Sequence, residues 1–394
     1  MSLTANHALK ERLERSLEQA VAWVQAHDYR AYEPADGNSS ILFPLTLGRV
    51  QPMRALQQIV LRAPVNIRPL VGVGRHESAI GRGYMAWAYL LMYRRGGSER
   101  LRREAVDCLN WLMTHRARGY DECCWGDPYE YATRSGRRAR GEPLLIWSAL
   151  IGRAFLDGFE LLGDRAYLEV AESIGRWILK LPAEQTGRGI CLSYVACRQS
   201  SIHNANAMGA AFLARLGRAI ASGRHLDVAR DAMMYTCSRQ RADGSWFYAE
   251  EPKYHWIDNF HTGYNLCALH VYRTSTGDFS FDEQLAKGAV YFTRVFFEPD
   301  GRPRYFHDRT YPVDIQCAAQ AIETLTALGA FEPEAPAAAL RVADWTVANL
   351  QAPDGHFLYR DLGWTKVRTP MLHWGQGTMA KALAVALEQL DGHA

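Results

Sequence analysis

Apolar residues recur at helical spacing from the start of the chain. Between residues 8 and 27, Leu9, Leu13, Leu17, Ala20, Val21 and Val24 fall on one face of a predicted helix. The stretch that follows, Asp28-Tyr-Arg-Ala-Tyr-Glu-Pro-Ala-Asp-Gly-Asn-Ser-Ser40, has no period and is rich in turn formers. A second helix is predicted near 49–62, leading into an extended connector, Pro64-Val-Asn-Ile-Arg-Pro-Leu. From about residue 72 the pattern repeats: long apolar helical runs alternate with loops that carry Gly, Asp and an aromatic residue. A polar residue opens one helix of each unit (His76, Glu142, His203, His261, Asp314, His373), at intervals between 53 and 66 residues. That is too long for tetratricopeptide or HEAT repeats and fits two helices plus a loop. The loops resemble one another: Gln240-Arg-Ala-Asp-Gly-Ser-Trp246, Glu298-Pro-Asp-Gly-Arg302 and Gln351-Ala-Pro-Asp-Gly-His-Phe357. Each Asp-Gly marks a turn, and the aromatic beyond it can fasten the loop to the core. No alternating strand run of useful length is present. Six helical hairpins at such intervals close into a ring. The expectation is all-α: one domain over 1–394, an (α/α)6 toroid over 71–394 with an N-terminal helical extension over 1–70 packed on it.

Composition narrows the function classes. With 48% hydrophobic content over 394 residues the chain can bury one large core or two ordinary ones. A formal net charge of +3 gives no global field to recruit nucleic acid or membrane. Arg94-Arg95, Arg102-Arg103 and Arg137-Arg138-Ala-Arg140 read as local solvated patches. The eight cysteines include no CxxC and several sit in apolar helical runs, so neither a disulfide framework nor a zinc ribbon is expected. No apolar run is long enough to span a membrane, and the opening Met-Ser-Leu-Thr leads into charged helix. A cytoplasmic protein without cofactor or metal is expected.

The candidate chemistry centres on Trp256-Ile-Asp-Asn-Phe-His-Thr-Gly-Tyr-Asn-Leu-Cys-Ala-Leu-His270. Asp258 or Asn259 suits a helix N-cap, and His261 and Tyr264, three apart, share a face near that helix's mouth. In a toroid the corresponding starts converge on one end of the ring. They bring Arg75, His76 and Glu77; Trp125, Asp127 and Tyr129; His203, Asn204 and Asn206; Asp258, His261 and Tyr264; Tyr311, Asp314 and Gln316; and His373, Trp374 and Gln376. Tyr32 and Asp36, with Glu33 and Asn38, add sugar-binding groups from the first loop. Trp125, Trp256 and Trp374 offer flat apolar faces, and the many amides and imidazoles argue for a polar substrate over a terpene. Proton abstraction beside a uronate carboxylate needs a base (His203 or His261), an acid (Tyr264 or Tyr311) and a partner for the carboxylate (Arg75 or Asn206). Hydrolysis needs two carboxyl groups, for which Asp127, Asp258, Asp314 and Glu77 are candidates. The structural alternative for each histidine is a satisfied core residue.

The repeat region resembles the α/α-toroid superfamily of terpene cyclases, prenyltransferases, glycosidases, polysaccharide lyases and uronyl epimerases. Gln240…Trp246 and Gln351…Phe357 are similar to the QW motif of triterpene cyclases, which implies fold and little chemistry. Asn259-Phe-His-Thr-Gly-Tyr-Asn-Leu is similar to the segment of prenyltransferase β-subunits that supplies a zinc-ligating histidine, here His261. However, Ser201-Ile-His-Asn-Ala-Asn206 stands where that family has Asp and Cys ligands, and the cyclases' Asp-x-Asp-Asp acid is absent. Tyr32-Glu-Pro-Ala-Asp-Gly-Asn-Ser, Asn66-Ile-Arg-Pro-Leu and Trp256-Ile-Asp-Asn-Phe-His-Thr-Gly-Tyr resemble bacterial polysaccharide-biosynthesis proteins of the VpsJ type, distant relatives of glucuronyl C5-epimerases. That resemblance implies a carbohydrate substrate more than a reaction; taken with the residues above, the expectation is an enzyme acting on an acidic saccharide or sugar precursor, with epimerisation slightly ahead of hydrolysis or elimination. A terpenoid enzyme and a non-catalytic glycan-binding protein remain the alternatives.

Overall fold

The computed structural model describes residues 3–392, so Met1 and Ser2, on which part of the expectation about the chain's start rests, lie outside the described residues. Helix α1 (Leu3–Ala26) and helix α2 (Val50–Arg62) precede five hairpins. These are α3 (Ala79–Gly96) with α4 (Glu99–Thr114), α5 (Leu145–Leu162) with α6 (Arg165–Ile178), and α7 (His203–Ala219) with α8 (Gly223–Ser238). They continue with α9 (Asn259–Thr276) and α10 (Asp282–Val295), then α11 (Ile315–Ala327) and α12 (Ala335–Leu350). A π-helical turn (Leu372–Gly377) leads into α13 (Thr378–Leu390). Helices α3, α5, α7, α9, α11 and α13 each pack on the next, and α13 packs back on α3. This closed inner ring is an all-α, (α/α)6 toroid.

The two layers follow from residue pattern. Inner helices are buried on nearly every face, as in α7, where His203 to Ala214 are buried without a break. Outer helices bury one stripe: Leu101, Ala105, Cys108, Leu109 and Leu112 on α4. The anticipated N-terminal extension divides in two. Helix α1 packs on α13 and α12 and so takes the outer position of the sixth hairpin. The segment that follows it runs across the end of the ring, bridging at Ala31 to His76 and at Tyr32 to Met371.

The repeated loops explain this closure. Gln240 Nε2 donates to the Gly244 carbonyl and to the Gln284 carbonyl of α10. Gln351 Nε2 donates in the same way to Gly355 and to the Ser16 carbonyl of α1. Gly355 has φ +98°, and a Cβ there would sit 2.6 Å from the Gln19 carbonyl oxygen, just as one on Gly244 would sit 2.5 Å from that of Lys287. Only glycine combines that backbone with so close an approach. Chemically, then, α1 is treated by its loop as the next outer helix in the series.

No alternating strand run of useful length was expected, and the strands among the described residues form only three small antiparallel sheets in the loops. They are β1 (Tyr131–Thr133) with β2 (Gly136–Arg138), β3 (Ala183–Thr186) with β4 (Gly189–Leu192), and β5 (Val313–Asp314), β6 (Arg360–Asp361) and β7 (Lys366–Val367). Strands of two to four residues are too short to give a readable alternation. All eight cysteines are free. No helix among the described residues is long and apolar enough to cross a membrane.

Candidate active site

The N-terminal ends of the inner helices and the loops before them enclose a cavity of about 280 Å³, close to the size of a small-ligand pocket. Its walls carry Asp127, Trp147, Asn204, Phe260, His261, Tyr264, His373 and Trp374, with Tyr129, Tyr131, Tyr194, Tyr248 and Tyr305 from the loops and Pro34 and Ala35 from the first loop. No arginine or lysine lines it, and Asp127 is the one carboxyl group in the wall.

Two histidines face this space, each backed by a carboxylate. Asp258 caps α9 by accepting from the His261 backbone N–H at 2.9 Å, and its second oxygen lies 2.6 Å from His261 Nδ1. The same oxygen accepts from Trp256 Nε1 at 2.9 Å, so the carboxylate is held from both sides. His373 sits on the π-helical turn, where its backbone N–H donates to Glu33 at 3.0 Å. Its Nδ1 lies 2.5 Å from the other Glu33 oxygen, an ion-pair contact bent away from hydrogen-bond geometry. His373 Nε2 is buried without a protein partner. With a carboxylate beside Nδ1, each ring keeps its proton there and leaves Nε2 to take or give one. Glu33 is delivered by a loop that Arg68 clamps, donating to Asp36 at 2.8 Å and to the Glu33 carbonyl at 3.2 Å. Burial alone would raise the Glu33 carboxyl, but the charge of His373 and the hydrogen bond from its backbone N–H, with His76 behind, hold it below its ordinary value.

Asp127 differs. Burial pushes its carboxyl up and the nearby Glu33 charge adds to this, outweighing His373 and the hydrogen bond from Trp147 Nε1 at 3.3 Å. Burial likewise pushes Tyr129, Tyr131, Tyr248 and Tyr305 well above the ordinary phenol range, so they serve as neutral O–H groups. Tyr264 is raised by burial too, and it is engaged: its hydroxyl pairs with Tyr84 at 3.0 Å and accepts from Gln316 at 2.8 Å.

Of the expected site residues, Asp127, Asn204, His261, Tyr264 and His373 line the cavity, with Trp374 beside them. The others are elsewhere. His203, proposed as a base, turns its Nε2 to Glu250 at 2.8 Å and does not reach the cavity. Tyr311, proposed as an acid, is exposed and accepts from Arg302. Asp258 stays behind the wall, capping α9 with one oxygen and backing His261 with the other, and Asp314 caps α11 while also holding Arg360 and Trp374 Nε1. Asn206 ties α7 to Leu192, Ala232 and Thr236, and Gln376 clasps both backbone groups of Phe357. Trp125 is core, bonded to the Leu112 carbonyl. Tyr32 and Asp36 are buried around Arg68. Arg75 is exposed over Trp23, and His76 stands edge-on behind Tyr129. Gln316 lies one step back, behind Tyr264, and Trp256 lines an outer groove.

Tyr129 was among the expected residues and lines the cavity; Tyr131, Tyr194, Tyr248, Tyr305, Trp147 and the role of Glu33 behind His373 were not expected. A signal for them exists: Tyr194, Tyr248 and Tyr305 each stand 9 to 11 residues before an inner helix. The wall is therefore less amide-rich than the sequence suggested, with tyrosine hydroxyls as its main polar groups. Among the described residues no group of three or more His, Cys, Asp or Glu is arranged to hold a metal ion.

No protein-family model matches the chain, and no curated protein matches it. Solved structures do. The cellobiose 2-epimerase of Bacillus thermoamylovorans superposes with a TM-score of 0.63 at 11% identity, over 81% of this chain and 90% of that one. A sugar epimerase from a ruminal bacterium gives 0.60 at 13%, over 81% and 90%. The GH76 α-mannanase of Bacteroides thetaiotaomicron gives 0.62 at 12%, over 80% and 87%. At these identities the likeness is one of fold.

Proposed function

We propose that the protein is a saccharide-modifying enzyme that moves a proton at a carbon beside a carbonyl, an epimerase or aldose–ketose isomerase. The observation that carries this reading is the pair of carboxylate-backed imidazoles, His261 and His373, in one cavity. One Nε2 removes the proton; the C–H electron pair becomes a C=C bond as the carbonyl π pair moves onto oxygen, giving an enediolate. The other imidazole, which enters the step protonated on both nitrogens, gives its Nε2 proton to the opposite face as the carbonyl re-forms, so the two rings end with their Nε2 protonation exchanged. No electron is gained or lost, so no redox partner is required. The tyrosine hydroxyls supply donors for the developing oxyanion. With no cationic side chain in the wall, the reacting carbonyl is better matched to a sugar aldehyde than to a uronate carboxylate, which revises the expected site of proton abstraction.

Hydrolysis is less well supported, because it needs two carboxyl groups across the bond and the wall offers Asp127 alone. The α-1,6-mannanase of Salegentibacter, a fold relative, is inactive when two adjacent aspartates are replaced, and this chain contains no two adjacent aspartates. A role in polysaccharide assembly, as the VpsJ-type resemblance implies, belongs to the same proposal.

The test is NMR of reducing sugars incubated with the protein in D2O. Deuterium entering at the carbon next to the carbonyl, and lost with either His261→Ala or His373→Ala at unchanged melting temperature, supports the reading. Sugar binding without exchange leaves a glycan-binding module, and stabilisation by isoprenoid diphosphates alone returns the chain to the terpenoid branch.

A further inference from the structure

Outside the cavity, and sharing Tyr131, Tyr194, Tyr248, His261 and Tyr305 with it, runs a second and larger concavity of about 660 Å³. We infer that this groove is a subsite for an anionic group, a carboxylate or phosphate ester, so that the substrate is an acidic saccharide whose neutral carbonyl-bearing end occupies the cavity. This rests on the sugar-enzyme reading above and names the substrate class.

The groove wall carries five arginines and no carboxylate. Arg54 and Arg62 come from one stripe of α2, Arg134 and Arg138 from the β1–β2 hairpin, and Arg309 from the loop before α11. Among the described residues Arg54, Arg62 and Arg134 form no ion pair with any carboxylate, whereas the exposed Arg309 is paired with Asp308. No acidic residue occurs between Asp36 and Glu77, so nothing on the α2 segment offsets its charge.

Arg138 is the independent observation. It is 2% exposed, its Nη1 lies 3.4 Å from Glu142, and its Nε is buried with no hydrogen-bond partner. A buried guanidinium with an unmet N–H is costly unless something accepts from it. Its planar fork suits the oxygens of a carboxylate or phosphate. Beside it Trp256 is fixed flat, stacked on Tyr248 at 4.6 Å and pinned through Nε1 to Asp258. Arg134 lies over that ring, 5.1 Å from its centroid, and is anchored to the Lys253 carbonyl. An aromatic surface bordered by arginines, with Arg54, Arg62 and Arg134 free of any carboxylate partner among the described residues and Arg138 paired with Glu142 through Nη1 alone, fits a sugar ring that bears an acid. The inner cavity, with no cation in its wall, would repel the same acid through desolvation.

Isothermal titration calorimetry of the full chain tests this with three probes: a hexuronate trisaccharide, its carboxyl-reduced neutral counterpart, and inorganic pyrophosphate. Each is measured at low and high salt, before and after Arg62→Gln with Arg134→Gln, two exposed positions whose loss leaves the core intact. The acidic trisaccharide should bind about tenfold or more tightly than the neutral one, the scale of one charge-assisted hydrogen bond. That advantage should shrink at high salt and vanish in the double variant, with the neutral probe unaffected. Pyrophosphate binding that is lost in the double variant, without hexuronate binding, also supports the subsite and assigns it to phosphate esters. Equal affinity for acidic and neutral probes with no pyrophosphate binding, or acidic binding indifferent to the double substitution, overturns it. Deuterium exchange on a neutral sugar, measured alongside, separates the two readings. Exchange without acidic preference overturns the groove alone, and acidic preference without exchange on any sugar overturns the proton-transfer reading alone.

Discussion

Replacing Glu33 with glutamine perturbs one proton and little else. The side chain is fully buried, and its backbone is held independently: its N–H donates to Asp36 at 2.9 Å and its carbonyl accepts from Arg68. Glutamine keeps an oxygen for the His373 backbone N–H. It replaces the oxygen beside Nδ1 with an NH2 group, which demands a lone pair there and drives the ring proton to Nε2. The stability change is a difference of opposed terms. A charged hydrogen bond worth about 1.5–3 kcal/mol is weakened, while a carboxylate no longer needs to be desolvated. A net loss of about 1 kcal/mol, a few degrees at most in a chain this long, is expected. The kinetic cost is larger, because a base in the wrong tautomer is lost outright. Amide-for-carboxylate exchange behind a catalytic histidine costs roughly 10⁴-fold, equivalent to about 5 kcal/mol of barrier.

The pH dependence follows with a definite sign. The Glu33 carboxyl is held below its ordinary 4.5 in the fold. Its stabilising contribution is therefore complete above that value and is lost as pH falls through the folded one. Melting curves of wild type and Glu33→Gln should differ at neutral pH and converge in acid. Exchange kinetics in D2O and calorimetry on the same samples read both halves. Turnover within tenfold of wild type would refute the role assigned to His373, because the tautomer would then not matter.

The remaining predictions concern the cavity wall and the ring. The Asp127 carboxyl is held above its ordinary 3.8, chiefly by burial, so its contribution favours the fold most below that value and declines as pH rises through the folded one. Asp127→Asn should therefore raise the melting temperature at neutral pH but not near pH 3, and equal shifts at both would sink the argument. Gly355→Ala would put a methyl 2.6 Å from the Gln19 carbonyl oxygen at a left-handed backbone position. A loss of about 3 kcal/mol or more is expected, with proteolysis first releasing α1; a variant as stable as wild type would show that this loop does not close the ring.

Much of the ring was legible because inner helices bury every face and so read as long apolar runs at near-constant intervals. The outer partner of α13 was not, since residues 19 and 355 meet only through closure in space. Yet this kind of loop, which elsewhere is followed by an inner helix and then the outer helix it packs on, is followed after Gln351…Gly355 by the inner α13 alone, so the count itself implied an outer partner from the other end. The site divides in the same way. Repeat phase located the right helix ends and hence His261, Tyr264, Asn204, His373 and Asp127. It did not say which side of each end faces inward. Asp258 and Asp314 at N-cap positions are consumed by the backbone N–H groups they cap, whereas His261, one turn further on, is free to look inward. Asn206 lies on the same helix as Asn204, but two residues rotate a side chain by about 200°, and it faces α8 instead. His203, at the very first helical position, is drawn off by Glu250, a contact between residues 47 apart that no local spacing encodes. Residues that repeat with the helices can be found by counting, and Tyr194, Tyr248 and Tyr305 keep a near-constant offset from theirs; Glu33 comes from an aperiodic loop, takes its position from the Arg68 clamp and is found only where that clamp is seen.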